Sequence, residues 1–347
     1  MQPNSQKHWS RGQLESVPHC PACGCKKPAS AVFTRRDNEG FMPDQWQMLL
    51  CSDCQSIWLN PRPDAESLPR AYDNYYTHHA DADDIPPNNS SGLAWSLIYG
   101  YLNCRFGMHR RPANRLGYPL FSLIEPWRLK LDYYGRHLTD ARVGAPGRLL
   151  DIGCGNGAFL ARALDMGWEV EGCEVDPKAV EACRNIGINV IEGDAFAPDL
   201  GEQSFDVVMM SHVIEHVYDP PSVLKRAYDL LRPGGWFWMA CPNPSSTGRK
   251  TFGSAWIDFH PPCHIIIPSQ KILVKWLGDN GFVNITPLRR GAHVRQRWGK
   301  SKKIAQRDGI KIFPSSILFI IRLVADLMST FSPRCAEETV LLAQKPK

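Results

Sequence analysis

In the second half of the chain, short apolar runs alternate with stretches of helical period. Residues 148–152 (Arg-Leu-Leu-Asp-Ile) lead into Gly153-Cys-Gly155-Asn-Gly157, and an apolar helical pattern follows. That order reads as a buried strand, a tight glycine turn and a helix start, which lets backbone N–H groups approach a ligand closely. The spacing is G-x-G-x-G with Asp151 two residues ahead, distinct from the G-x-G-x-x-G dinucleotide turn. Residues 168–174 form a second expected strand. It ends in Glu174, about twenty residues past the glycines, where doubly wound folds hold ribose hydroxyls. Asp176-Pro177 opens a helix to Asn185, with proline where its missing N–H costs nothing. Residues 188–191 are a third strand, followed by Gly193-Asp194-Ala195. Residues 205–210 are a fourth, followed by Ser211-His212-Val213-Ile214-Glu215-His216. A helix over 220–231 closes at Arg232-Pro-Gly-Gly235, and 236–240 is a fifth strand. A helix over 269–281, between a serine cap and a glycine stop, precedes a sixth strand at 282–288; 338–345 reads as a seventh. Strands alternating with helices predict an α/β fold with a mostly parallel sheet.

The first half reads differently. Cys20-Pro-Ala-Cys23-Gly24 and Cys51-Ser-Asp-Cys54 are two C-x-x-C knuckles, set somewhat farther apart than the usual spacing of about 15–20 residues. Four thiolates from Cys20, Cys23, Cys51 and Cys54 suit a closed tetrahedral Zn²⁺ site, structural rather than catalytic; Cys25 and His19 stand beside it as competing ligands. Residues 61–89 are polar and linker-like. Residues 93–138 are rich in Trp, Tyr, Phe and Leu, with helical spacing over 121–134. The expected organisation is a zinc-ribbon-like unit at 1–63, a linker and helical cap at 64–140, and a sheet domain at 141–347.

Five blocks (LLDIGCGNG, VEGCEVDP, EGDAF, FDVVMMSHVIEHV-DP and LRPGGWFWM) together resemble the class I S-adenosylmethionine (SAM) dependent methyltransferases, in that family's order and spacing. The resemblance implies a Rossmann-like seven-stranded sheet whose seventh strand is an antiparallel hairpin partner. It implies that Asp151, Gly153, Gly155 and Gly157 hold the methionine part of SAM, Glu174 the ribose and Asp194 the adenine amino group. Ala195 or Phe196 would line the ring, and Ser211 joins the cofactor-binding set. The cysteine knuckles and the residues on to Asn60-Pro61-Arg62-Pro63, Tyr72, Tyr75 and Tyr76 resemble the zinc-ribbon leader ahead of some bacterial methyltransferases, some of which act on sugars or cell-surface glycan intermediates. The implied activity is methyl transfer to oxygen or carbon of a small molecule, a sugar or a lipid-linked glycan intermediate. A catalytically silent SAM-fold binding module is the alternative.

Base candidates follow the fourth strand, at the carboxyl edge where ligands bind in such sheets. They are His212, Glu215 and His216, joined by His264 and His260 from a later loop. In the related ubiquinone-biosynthesis O-methyltransferases this position reads E-x-x-E-H and holds a divalent metal. Here His212 replaces the first carboxylate, so a metal there, a general base and a purely structural role all stand open. Trp256, Pro261-Pro262 and His264 resemble another family segment, except that Cys263 stands where arginine is common. The run 241–268 reads as a long loop too irregular for an element.

Composition adds little: 347 residues, 43% hydrophobic and 22% charged, describe an ordinary globular chain. No apolar leader pattern opens the sequence, so a cytoplasmic location is expected. Scattered cysteines such as Cys104, Cys183 and Cys335 are then expected as buried small hydrophobes. Charge is informative in one place. Residues 289–311 carry nine Lys/Arg against the single acid Asp308, and the whole chain is only +5. Directly after them, Ile317, Ile321, Val324, Met328 and Phe331 recur at helical spacing within an insertion at 289–333. Two readings stand: a helix packed against the domain or a second copy beside a solvated basic loop, or docking of 289–331 on an anionic membrane surface at its inner face. Aromatics are too sparse there for nucleic acid to be an expected partner.

Overall fold

The computed structural model describes residues 8–38, 40, 42–72 and 92–347. Most of the linker expected at 61–89, from residue 73 onward and including Tyr75 and Tyr76, lies outside the described residues.

Six short strands open the chain: β1 (His8–Trp9), β2 (Gly12–Glu15), β3 (Ser30–Arg35), β4 (Trp46–Leu50), β5 (Ile57–Leu59) and β6 (Arg62–Pro63). Four helices follow, α1 (Leu93–Phe106), α2 (Gly117–Leu123), α3 (Glu125–Tyr134) and α4 (Asp140–Val143). The periodic stretch 121–134 is thus broken at Ile124, whose extended ψ of 87° ends one helix and starts the next. The sheet domain then runs β7 (Arg148–Ile152), α5 (Ala158–Asp165), β8 (Glu169–Glu174), α6 (Pro177–Asn185), β9 (Val190–Glu192), β10 (Phe205–Ser211), α7 (Pro220–Leu230) and β11 (Leu231–Pro242). It finishes with α8 (Thr247–Phe252), β12 (Ile266–Ile267), α9 (Gln270–Asp279), β13 (Val283–Leu288), α10 (Val294–Arg307), α11 (Ser315–Phe331) and β14 (Glu338–Gln344).

The central sheet has seven strands in the order β13-β14-β11-β10-β7-β8-β9. Strand β14 is antiparallel to both neighbours and the rest are parallel, as expected. Strand order reverses on either side of β7, so the crevice at the carboxyl ends of β7 and β10 is where such a sheet binds ligands. Helices start where the sequence caps them: Asp176 accepts from the Lys178 N–H, Asp219 from Ser222 and Ser269 from Ile272.

Three expectations change. The run 241–268 is not featureless: Ser246 caps α8, and Ile266–Ile267 adds a fourth strand to the cysteine-rich sheet, whose order is β12-β5-β4-β3. Ribbon and sheet domain therefore share one hydrophobic core, with Ile57, Trp58, Ile266 and Ile267 buried together; each such side chain contributes about 1.5–3 kcal/mol on burial. The basic stretch 289–311 is not a solvated loop, because Val294, Trp298, Ser301, Ile304 and Ala305 form a buried stripe that folds 294–307 into α10. Finally, Cys104 is exposed rather than buried, whereas Cys183 is buried.

Candidate functional site

The glycine turn shapes one side of the crevice. Gly153 adopts φ +69°, and a Cβ there would lie 2.5 Å from Val213 Cγ2. At Gly155 (φ +55°) a Cβ would meet nothing within 4 Å, so the backbone borders open space. Glu174, buried at the end of β8, is fixed under this turn. Its Oε2 accepts from the Gly155 N–H (2.8 Å), and Oε1 accepts from the N–H groups of Val175 (2.8 Å) and Asp176 (3.0 Å). Asp151, at the end of β7, is buried, and its Oδ1 has no partner. Burial pushes its pKa up to about 7. A buried carboxylate with one unpartnered oxygen, beside a glycine turn open to solvent, suits a polar, partly cationic group such as the amino-acid end of SAM. Asp194 is exposed and accepts from the Phe196 N–H (2.8 Å), capping its turn; Ala195 is buried, whereas the Phe196 ring stands half exposed beside them. Ser211 ends β10.

The opposite wall is assembled from distant segments. His212 sits at φ +56° and His260 at φ +37°, left-handed conformations that each cost non-glycine residues on the order of 1 kcal/mol or more and cluster at functional sites. His212 faces two carboxylates, with Nδ1 3.0 Å from Glu215 Oε1 and Nε2 2.8 Å from Glu338 Oε1. Burial opposes protonation of this ring, but hydrogen bonds to Glu215 and Glu338 outweigh it and push the pKa up to about 9. Its two carboxylate partners thus favour the protonated ring near neutral pH and leave it poorly suited to act as a base, with the Arg297 guanidinium also 3.2 Å from Nε2. Glu338 also accepts from Arg290 Nε (2.7 Å) and from Arg297 (2.6 Å), and Arg297 pairs in turn with Asp258. Burial works against the Glu338 charge, yet Arg297 and Arg290 hold its pKa well below the usual range. The Arg290 guanidinium also lies over the Tyr133 ring, 3.2 Å from its centre. The basic insertion thus places two of its arginines inside the site.

His216 and His264 have the opposite character. The Nδ1 of His216 lies 2.9 Å from the Cys263 carbonyl and 2.8 Å from the Tyr72 hydroxyl. A carbonyl only accepts, so Nδ1 carries the proton and Nε2 keeps a lone pair. His264 is fixed the same way by the Asp258 carbonyl (2.7 Å). Burial lowers both pKa values, keeping both rings neutral. Glu215, buried on the intervening 3₁₀ turn, leaves Oε2 without a partner. Glu215, His216 and His264 offer donor atoms within 4.8 Å of one another; His212, the expected member of a metal set, is withdrawn by its ion pairs. His260 is neutral too, its pKa lowered by burial to about 3. The sequence reading missed Tyr72 as a partner of His216, and missed Asp258, Arg290, Arg297 and Glu338. Nothing marks Arg297 among the nine basic residues of 289–311; only the acid opening the β14 pattern hinted at Glu338.

A second cluster lies in the ribbon. Cys20, Cys23, Cys51 and Cys54 place their sulfurs within 4.8 Å of one another, with Cys20–Cys54 and Cys23–Cys51 each at 3.6 Å. Bonds of about 2.3 Å to a tetrahedral Zn²⁺ separate the sulfurs by about 3.8 Å, so the set fits the ion. The Gly24 N–H donates to the Cys20 carbonyl and the Gln55 N–H to Cys51, which closes both knuckles. Cys25 turns instead toward the Lys27 N–H, and His19 is exposed; neither belongs to the set.

Residues 128–286 match a family model described as a methyltransferase domain. A ubiquinone biosynthesis O-methyltransferase from Cereibacter sphaeroides is 35% identical over 120 residues, covering 32% of this chain and 48% of that protein. Methyltransferase str2 from Strobilurus tenacellus is 34% identical over 110 residues, covering 30% and 38%. The chain thus spans about half the length or less of these relatives. Among solved structures, a SAM-dependent methyltransferase from Archaeoglobus fulgidus matches 67% of this chain and 99% of its own at 21% identity, with a TM-score of 0.43. Residues 128–286 are thus similar to methyltransferase domains, and the part of the chain within them to ubiquinone biosynthesis O-methyltransferases.

Proposed function

We propose that this protein is a SAM-dependent O-methyltransferase acting on a hydroxyl of a small molecule, in the sugar or lipid-linked glycan class. The observation that carries this reading is His216: a half-buried, neutral imidazole at the carboxyl edge whose Nδ1 proton is committed to the Cys263 carbonyl. When bound, SAM supplies an activated sulfonium methyl group. Asp151 and the 153–157 turn would hold its amino-acid end and Glu174 its ribose, with Asp194, Ala195 and Phe196 bordering the adenine. His216 takes the acceptor's hydroxyl proton on Nε2, and Tyr72 and Cys263 keep its ring in register. The ion-paired group of His212, Glu338, Arg297 and Arg290 acts on position rather than on protons: it sets the shape and polarity of the wall facing the acceptor.

Methyl transfer to oxygen also suits the relatives named as O-methyltransferases. Incubating the purified protein with radiolabelled SAM and a panel of hydroxyl acceptors, with calorimetric titration of SAM, tests the reading. Absence of SAM binding would defeat it and leave the silent binding module. We further infer that the four ribbon cysteines hold one structural Zn²⁺. Elemental analysis should find one zinc per chain and none after Cys20→Ser with Cys51→Ser; retention of zinc by that variant would sink the inference.

A further inference from the structure

Helix α11 is built inside out. Its buried positions are Leu318, Ala325, Ser329 and Thr330, mostly small or polar, while Phe319, Ile320, Leu323, Val324, Leu327 and Phe331 face outward and are exposed. The apolar stripe read in the sequence (Ile317, Ile321, Val324, Met328 and Phe331) is exposed except for the half-buried Ile321. The small residues explain the orientation. The Ser329 hydroxyl donates to the Gly291 carbonyl (3.0 Å), and Asp326 turns inward to accept from the N–H groups of His293 (2.8 Å) and Val294 (3.2 Å). Close approach of the helix to the domain therefore rests on its small, polar face, and its large side chains are left outside. A second apolar area adjoins α3, which packs on α11: Leu120 and Leu123 on α2 and Trp127 on α3 are all exposed.

Contiguous apolar surface on this scale marks a docking site. We infer that α11 seats this protein in the headgroup region of an anionic lipid bilayer. Charge selects that occupant. The outer face of α11 carries no acid: its central ionised side chain there is the half-buried Arg322, whose guanidinium lies over the exposed Phe319 ring, and its ends are basic, with the Lys302 ammonium donating to Ser315 at the first turn, exposed Lys303 and Lys311 ahead of the helix and exposed Arg334 after it. Asp308, the acid of this rim, is already paired with Arg307. Two copies joined through this face would bring like charges together, while an anionic leaflet would neutralise them. The mode is lying on the surface, since among the described residues no helix is long and apolar enough to cross a membrane. Asp326 and Ser329 tie this helix to the segment that carries Arg290 and Arg297, so the docking helix braces one wall of the site.

The test is co-sedimentation of the full chain with phosphatidylcholine vesicles and with mixed phosphatidylcholine–phosphatidylglycerol vesicles, at low and high salt, beside light scattering without lipid. Binding should favour the anionic vesicles on the order of tenfold and weaken in high salt. Leu323→Asp with Leu327→Asp should abolish it without shifting the melting temperature, because both side chains are exposed. Lys303→Glu with Lys311→Glu should remove the preference for anionic lipid. Equal or absent binding to both vesicle types at low salt would overturn the inference. So would a stable dimer that the leucine substitutions dissociate and that does not bind vesicles.

Discussion

The two walls of the crevice are made in contrasting ways. The glycine-turn wall is one continuous piece of chain, from Asp151 through the glycines to Glu174 and on to the Asp194 turn, and the contacts of Glu174 in it are with backbone N–H groups. The facing wall gathers Tyr72, His212, Glu215, His216, Asp258, His264, Arg290, Arg297 and Glu338 from five separate segments, joined by side-chain pairs and by the Cys263 and Asp258 carbonyls. On the proposed function, the backbone cradle takes only the common methyl donor and so tolerates many acceptors. A side-chain wall can be rebuilt for each acceptor while the sheet beneath it stays the same.

If the walls divide the work in this way, mutations should separate them. The largest effect is expected at His216: His216→Ala should lower kcat by about 10²–10⁴ while leaving SAM affinity unchanged, measured by single-turnover assay and calorimetry. A loss of SAM binding in that variant would erase the distinction between the walls. Arg297→Ala comes next, because it strips the buried Glu338 and Asp258 of their shared partner. Breaking such a pair costs about 3–5 kcal/mol, so the melting temperature should fall clearly, and Arg297→Met should rescue little of it. On the donor side, Glu174→Ala removes a carboxylate and should raise the SAM dissociation constant about 10- to 100-fold, with little change in acceptor KM.

The smallest effect is a pH dependence. His212 is raised above its unfolded value of about 6.5 to about 9. Its ion pairs therefore contribute stability that is fully present below pH of about 6.5 and is lost as pH rises through about 9. The melting temperature should decline over that window, and His212→Gln should flatten the decline; an unchanged slope in the variant would remove His212 from the network. Titration of His212 by NMR in Glu338→Gln should also show its pKa falling toward the ordinary histidine value.

Much of this architecture was legible in the residues. The alternation of strand and helix patterns foretold the seven-stranded sheet, and the helix starts at Asp176 and Ser269 stand where the sequence put them. Boundaries were less legible. The Arg232-Pro-Gly-Gly235 turn lies within β11, where the pairing to β10 shifts register between Phe205 and Val207, so the strand begins earlier than its apolar run. The two-residue strand Ile266–Ile267 has no periodicity of its own and exists because the edge of β5 is there to pair with it.

By itself, the sequence determined the glycine turn and the cysteine cluster, because both depend on short spacings: a glycine turn needs neighbours within a few residues, and a knuckle needs two residues between its thiols. Tertiary structure decided the charge of His212, the proton position on His216, the insertion of Arg297 and the outward face of α11. Protonation and exposure depend on what is brought near in space, and partners such as Glu338 for His212 or Cys263 for His216 are supplied by folding rather than by spacing.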